Sequence, residues 1–249
     1  MENTKDKAMD FWNTEEVKDW HKTQFAKPPR SIVFFDNFLA KNADLHEKRI
    51  LDLGCGGGIA EYYLAKNHPD LSITGVDLVT DSFSIFTEHA DNVIKKQVSL
   101  EQGDWYNLPD SYKSCFDGVI SLQSLSWLED WKKPIDKIVD LSPKWMALSS
   151  LFYEGKINYT IKLEDYEDAE GEGFDIVYYN IYSIPIIRDY LKSKGYNRFI
   201  YEKFDIDIDI EKPSHLGTGT YTIKTEEGKR MQMSAALLMP WYFIFASKE

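Results

Sequence analysis

The chain has 249 residues, 43% hydrophobic and 28% charged, which describes an ordinary globular protein able to bury a sizeable core in one large domain or two small ones. Its formal net charge of −12 disfavours a bare phosphate backbone as partner, so nucleic acid is an unlikely substrate. No run of about 18 apolar residues marks a membrane span, the polar start from Met1 to Lys7 lacks the apolar stretch of a secretion signal, and Cys55 and Cys115 lack the spacing of a disulfide framework or zinc site. The expectation is a cytoplasmic protein with passive thiols, no bound metal and no membrane contact.

Residues 1–47 read as helical and amphipathic. Phe11, Trp12, Trp20, Phe25, Ile32, Phe34, Phe35, Phe38 and Leu39 give an aromatic-rich face, and Pro28-Pro29 breaks the segment in two. Ile32 to Leu39 is expected to form a helix on a sheet edge. In the stretch Arg49 to Gly58, Ile50, Leu51 and Leu53 make a short buried strand interrupted by Asp52, and Gly54, Gly56, Gly57 and Gly58 follow. Such a turn lets another molecule approach the backbone at the start of the next helix. Ile59, Tyr62, Tyr63 and Lys66, three or four apart, predict a helix with that side on a sheet. A second strand, Leu71 to Asp77, ends in an acid 23 residues after Gly54, a spacing suited to a carboxylate that accepts hydrogen bonds from both hydroxyls of a ribose. The expected ligand is a nucleoside.

A dinucleotide fingerprint requires G-x-G-x-x-G, but the third glycine position holds Ile59 in one register and Glu61 in the other. What stands there is D-x-G-x-G-x-G: Asp52, Gly54, Gly56 and Gly58. This resembles the first motif of the class I S-adenosylmethionine-dependent methyltransferases. The resemblance implies a Rossmann-like α/β fold: a seven-stranded, mostly parallel sheet with a final antiparallel hairpin and helices on both faces. It implies S-adenosyl-L-methionine as cofactor and S-adenosyl-L-homocysteine as product, with Asp52, Gly54, Gly56 and Gly58 against the methionine moiety and Asp77, followed by Leu78, at the ribose. It also implies that residues 1–47 contain a lid, Phe11 to Phe25, folded over cofactor and substrate so that Trp20, His21 and Arg30 face the site. The methyltransferase domain would then span residues 48–249, with substrate-side insertions near 154–183 and 211–235.

Asp81 is placed as N-cap of a helix carrying Phe83, Ile85, Phe86, His89 and Val93. A third strand, Gln97 to Gly103, runs into Asp104-Trp105. An acid and an aromatic there resemble the family's adenine clamp, in which the Asp104 carboxylate takes the exocyclic amine and the Trp105 backbone N–H meets a ring nitrogen; the alternative is a turn acid beside a core tryptophan. Phe116 to Leu122 is an apolar run expected of a central parallel strand, and Gln123 just beyond it would line the wall near the methyl group. Pro134 and the periodic Ile135, Ile138 and Val139 are similar to the family's next helix, although Lys144-Trp145 stands where a glycine pair is common.

Trp145 to Phe152 is the fifth strand. Tyr153 to Ser183 is too long for a simple connection. It holds an alternating segment, Ile157 to Leu163, then the acidic Glu164 to Glu172, then Ile176 to Tyr182, and reads as a β-rich insertion whose acids form a solvated loop or attract a cationic substrate. Ile184 to Gly195 is a helix with a glycine C-cap. Phe199 to Ile210 alternates as a strand with one wet face, and Pro213 to Met233 reads as a hairpin turning at Gly228. Leu237 to Ala246 closes the sheet, with Pro240 confined to a strand start or an edge.

Methyl transfer needs an acceptor atom held about 3 Å from the methyl carbon, water excluded, and a base where the acceptor carries a proton. His21, Tyr153 and His215 are the candidates for that proton; His46, His68 and His89 read as surface residues. Tyr159, Tyr166, Tyr178, Tyr179, Tyr182 and Tyr221 suggest an acceptor with hydroxyls or a ring, so the leading reading is O- or N-methylation of a small metabolite, with a sugar or sugar-nucleotide first in line. The rivals are an NAD-dependent oxidoreductase, which the missing glycine disfavours, a non-catalytic S-adenosylmethionine-binding protein, and a protein methyltransferase. A monomer and a homodimer both remain open.

Overall fold

A computed structural model describes residues 15–166, 174–212 and 219–249. Two helices come first, α1 (Glu15–Ala26) and α2 (Arg30–Asn42), separated at Pro28-Pro29. A strand-helix alternation follows: β1 (Arg49–Leu53), α3 (Ile59–Asn67), β2 (Ser72–Asp77), α4 (Phe83–His89) and β3 (Val98–Gln102). Then come β4 (Gly118–Leu122), α5 (Lys132–Leu141) and β5 (Trp145–Ser150). The second half holds a hairpin, β6 (Lys162–Tyr166) and β7 (Phe174–Tyr178), then α6 (Ile184–Ser193) and β8 (Arg198–Phe204). A further hairpin, β9 (Thr220–Lys224) and β10 (Arg230–Ser234), precedes β11 (Trp241–Ser247).

Seven strands form one sheet in the order β8-β11-β5-β4-β1-β2-β3. Neighbours from β5 to β3 are parallel, while β11 is antiparallel to both β5 and β8. This is the inserted antiparallel strand expected of the tail. Strand order reverses between β1 and β4, which opens a crevice at their carboxyl ends. The central strands are apolar because both faces are covered: Trp145 to Ser150 is buried throughout. On one face Ile135, Ile138, Ile187 and Leu191 pack on Met146, Leu148 and Ile244. On the other, Phe34, Phe35 and Phe38 of α2 surround Phe243 at ring-centroid distances of 5.1, 5.6 and 6.1 Å. Because Phe243 lies on β11, inside the sheet, α2 covers a sheet face and not the edge expected.

Four local expectations change. Ile59 of α3 is buried as expected, but the rest of its buried side is Ala60, Glu61, Leu64 and Ala65, not Tyr62, Tyr63 and Lys66, because Tyr62 faces Phe25 of α1. Asp81 does not cap α4; Ser82 holds that position and makes no side-chain cap. The first insertion pairs as a strand only from Lys162, five residues later than the alternation predicts, with a lone bridge between Tyr159 and Ile181. Strand β8 stops at Phe204 although the alternation continues to Ile210. Phe204 pairs with Trp241, and the next partner would be Pro240, which has no N–H to give. The hairpin turning at Gly228 forms as expected, with φ +76 there.

Both insertions leave the sheet at its carboxyl end: one follows β5, and the other leads into Trp241, next to the Tyr242–Ser150 pair. The first is anchored by Asn180, which is fully buried. Its Nδ2 donates to Leu128 O (2.8 Å) and to the Tyr182 hydroxyl (2.9 Å), and its Oδ1 accepts from Ile161 N (2.9 Å). Tyr182 in turn donates to Leu128 O at 2.9 Å. These bonds fasten the insertion to the loop after β4. Asn180→Ala leaves several buried groups unpaired and should cost about 3 kcal/mol of stability, read as a lower urea midpoint; an unchanged midpoint contradicts this anchoring role.

Candidate active site

The site grows from the end of β1. Gly54 N and Cys55 N donate to Val76 O at 2.8 and 3.3 Å, which turns the chain sharply away from the strand. Gly54 has φ +82, and a Cβ there would stand 2.3 Å from Ser124 Oγ, which itself donates to Gly54 O at 3.2 Å. Only glycine tolerates both the conformation and that approach. The turn ends at Gly58, and α3 starts with no side-chain cap, so its first N–H groups are left for an electron-rich partner.

Three acids lie under and beside this turn. Asp77 Oδ2 accepts from Gly56 N at 2.8 Å and its Oδ1 from Val79 N at 3.0 Å, so the carboxylate clamps the turn and keeps a further lone pair on each oxygen. Burial raises its pKa and the backbone N–H groups pull it back. Asp52 and Glu61 are both buried, and Asp52 Oδ1 and both Glu61 carboxyl oxygens have no hydrogen-bond partner among the described residues. Burial pushes Asp52 up to about 7, while burial and then the Asp52 charge push Glu61 well above the ordinary carboxylate range. The pair therefore holds a proton at neutral pH, and burial likewise keeps the Cys55 thiol protonated. Glu61 is absent from the sequence-derived site. Its signal is its place on α3 beside Ala60, on the side that reaches back under the turn.

Helix α1 lies over the turn. The His21 ring approaches within 3.2 Å of where a Cβ on Gly56 would stand and 3.0 Å of that on Gly57. Lys18 pairs with Asp81 at 3.5 Å, and the Phe25 ring stacks on His89 at 4.7 Å. Burial pulls His21 down to about 4, so its imidazole is neutral at pH 7. Trp20 belongs to α1, but its side chain, like Phe11, Trp12 and His215, lies outside the described residues. Arg30 does not turn to the cradle. Its Nε donates to Asp207 Oδ1 at 2.8 Å and its Nη2 pairs with Asp207 Oδ2, which ties α2 to the segment after β8.

At the adenine side, Trp105 is a core residue whose Nε1 donates to Pro134 O at 3.2 Å. Asp104 caps the turn after β3, accepting from Tyr106 N at 3.0 Å and Asn107 Nδ2 at 2.6 Å. The turn-acid reading thus describes the side chains of both residues. Leu78, half-buried, accepts from Gln102 Nε2 at 3.2 Å. Gln123 takes the left-handed conformation at φ +58, a strain that aims the chain after β4 across the crevice, and its N–H donates to Ser149 O at 3.1 Å. Tyr153 is 41% exposed, edge-on to Tyr159 at 5.8 Å. Tyr179 and Tyr182 are core residues instead of pocket lining. Trp241 Nε1, at the start of β11 and near Tyr179, and Gln232 Oε1, on β10, are buried and have no hydrogen-bond partner among the described residues. Sequence periodicity carries no sign of these two groups.

Sheet order, glycine turn and terminal acid together define a doubly wound α/β protein built to hold a nucleoside at the β1–β4 crevice. Residues 50–144 match a family model described as a methyltransferase domain. A fatty-acid O-methyltransferase of Mycolicibacterium smegmatis is 35% identical over 85 residues, 34% of this chain and 30% of that protein. A release factor glutamine methyltransferase of Buchnera aphidicola is 31% identical over 135 residues, 54% of this chain and 47% of that protein. The chain thus spans less than half the length of these relatives. Among solved structures, the magnesium protoporphyrin IX methyltransferase of Synechocystis with bound S-adenosylmethionine superposes with TM-score 0.59 and 14% identity, covering 100% of this chain and 99% of that one. Over residues 50–144 the chain thus carries a methyltransferase domain of the class I S-adenosylmethionine-dependent kind, whose cofactor is S-adenosylmethionine. Its residues fit that group: a turn of positive-φ glycines, an uncapped helix N-terminus, and an acid with lone pairs to spare. Among the described residues no group of three or more His, Cys, Asp or Glu is placed to hold a metal, and no helix is long and apolar enough to cross a membrane.

The Asp52–Glu61 proton gives a pH test. The folded pair keeps a proton that the unfolded chain releases near pH 4, so its contribution to stability is complete below that range and is lost as pH rises through about 7. Glu61→Gln keeps a donor to Asp52 without a titrating proton. Urea unfolding between about pH 5 and about pH 8 should show wild type losing ground to the variant as pH rises, by at most about 1.4 kcal/mol per pH unit. A pH-independent difference contradicts the shared proton.

Proposed function

We propose that this chain transfers the methyl group of S-adenosylmethionine to a hydroxyl oxygen of a small molecule. The observation that carries the methyl-transfer part is the turn Gly54–Gly58 clamped by Asp77. When bound, the cofactor supplies an electrophilic sulfonium methyl. The chain's own residues do the rest: the turn and the α3 N-terminus receive the methionine end, Asp77 accepts from the ribose hydroxyls, and α1 excludes water above them. With a pKa near 4, His21 is a weak base at neutral pH and suits an uncharged cover better than proton removal.

Support for a hydroxylated acceptor comes from Trp241 and Gln232. One is a buried donor at the start of β11, next to its pairing with β5, and the other a buried acceptor on β10; neither atom has a partner among the described residues. A hydroxyl can accept from the one or donate to the other, and leaving such a group unpaired costs about 1–3 kcal/mol, which a matching acceptor recovers. Sugars and phenols both answer this description, and the sugar expectation stands as one member of the class. The curated relatives named above act on a fatty acid and a release factor, so the shared segment speaks for the cofactor and not for the acceptor.

The test is release of S-adenosylhomocysteine from S-adenosylmethionine in the presence of a set of simple sugars and phenols, with the methyl ether identified by mass spectrometry. At least one hydroxylated compound should be methylated, and Trp241→Phe should raise its KM about tenfold with little change in S-adenosylhomocysteine affinity. Tight cofactor binding with no methylation of any hydroxylated compound would favour the non-catalytic binding protein.

A further inference from the structure

Helices α1 and α3 pack against each other beside the turn that leaves β1. A cavity of about 230 Å³ opens there, walled by Phe25, Tyr62 and Tyr63, with Gln24, Lys66 and Asn67 among its polar lining. Three observations point to an occupant. Gln24 is only 8% exposed, lines the cavity, and its carboxamide has no hydrogen-bond partner among the described residues. Lys66 makes no ion pair among the described residues; its ammonium rests over the Tyr62 ring at 6.0 Å, in a chain of net charge −12 where cations are the minority. The rings are already set for stacking, with Phe25 edge-on to Tyr62 at 5.2 Å.

The geometry points to a binding site for a single-ring aromatic carboxylate. A flat ring lies against the aromatic wall, the carboxylate meets Lys66, and Gln24 reads a polar edge. The volume suits one ring and is below the range of larger ligands, about 300–1,000 Å³. Gln24 and Phe25 follow His21 by three and four residues, so the same side of α1 closes this cavity and covers Gly56 and Gly57. A molecule held there would wedge between the two helices that frame the turn.

Benzoate is the probe, titrated calorimetrically into the cofactor-free chain, so the result does not depend on methyl transfer or on cofactor binding. Saturable binding in the millimolar range or tighter is expected, with benzyl alcohol, which lacks the charge, binding more weakly. Lys66→Met should weaken benzoate about tenfold or more and erase its advantage over benzyl alcohol, and Gln24→Leu should weaken both. Lys66 is exposed, and thermal unfolding confirms that each variant is folded. No saturable benzoate binding, or equal binding by wild type and both folded variants, overturns the site.

Discussion

The carboxyl end of the sheet depends on one contact, the Asp77 carboxylate held by the N–H groups of Gly56 and Val79. It joins the end of β2 to the turn that leaves β1, and so fixes where α3 starts and which N–H groups it presents. Beneath it, Glu61 and Asp52 lie buried and keep a proton between the two of them at neutral pH, because two buried charges would repel each other without water to screen them. Above it, α1 brings His21 onto the glycine faces that such a turn leaves bare. The cradle is thus fixed from three sides by groups that are far apart in sequence.

The fold was legible because a parallel sheet writes itself plainly. Strands buried on both faces are apolar runs, and β1, β2, β4 and β5 fall within a residue or two of where such runs stand. The exceptions share one cause, a partner that the local pattern does not contain. Asp205 to Ile210 alternates as well as β8 does, yet Pro240 ends the pairing. Tyr62 and Tyr63 have helical spacing, yet α1 claims them and α3 buries Glu61 instead.

The site was legible where glycine and acid carry the meaning and illegible where packing does. Gly54, Gly58 and Asp77 are named by spacing alone. Arg30 and Trp105 are not: one finds Asp207, 177 residues away, and the other donates to Pro134 in the core, pairings that only the three-dimensional fold creates. The same holds for Trp241 and Gln232, two ordinary residues that stand on β11 and on the hairpin inserted after β8. An acceptor site assembled from an insertion would have no motif, whereas the glycine turn and acid, built on the shared strands, do.

Calorimetric titration of S-adenosylhomocysteine into wild type and Asp77→Ala tests the central claim most directly. The account predicts micromolar binding to wild type and a loss of about 2 kcal/mol or more in the variant, with the variant still folded by thermal unfolding. Equal binding by both proteins, or binding of NAD in place of S-adenosylhomocysteine, would contradict it.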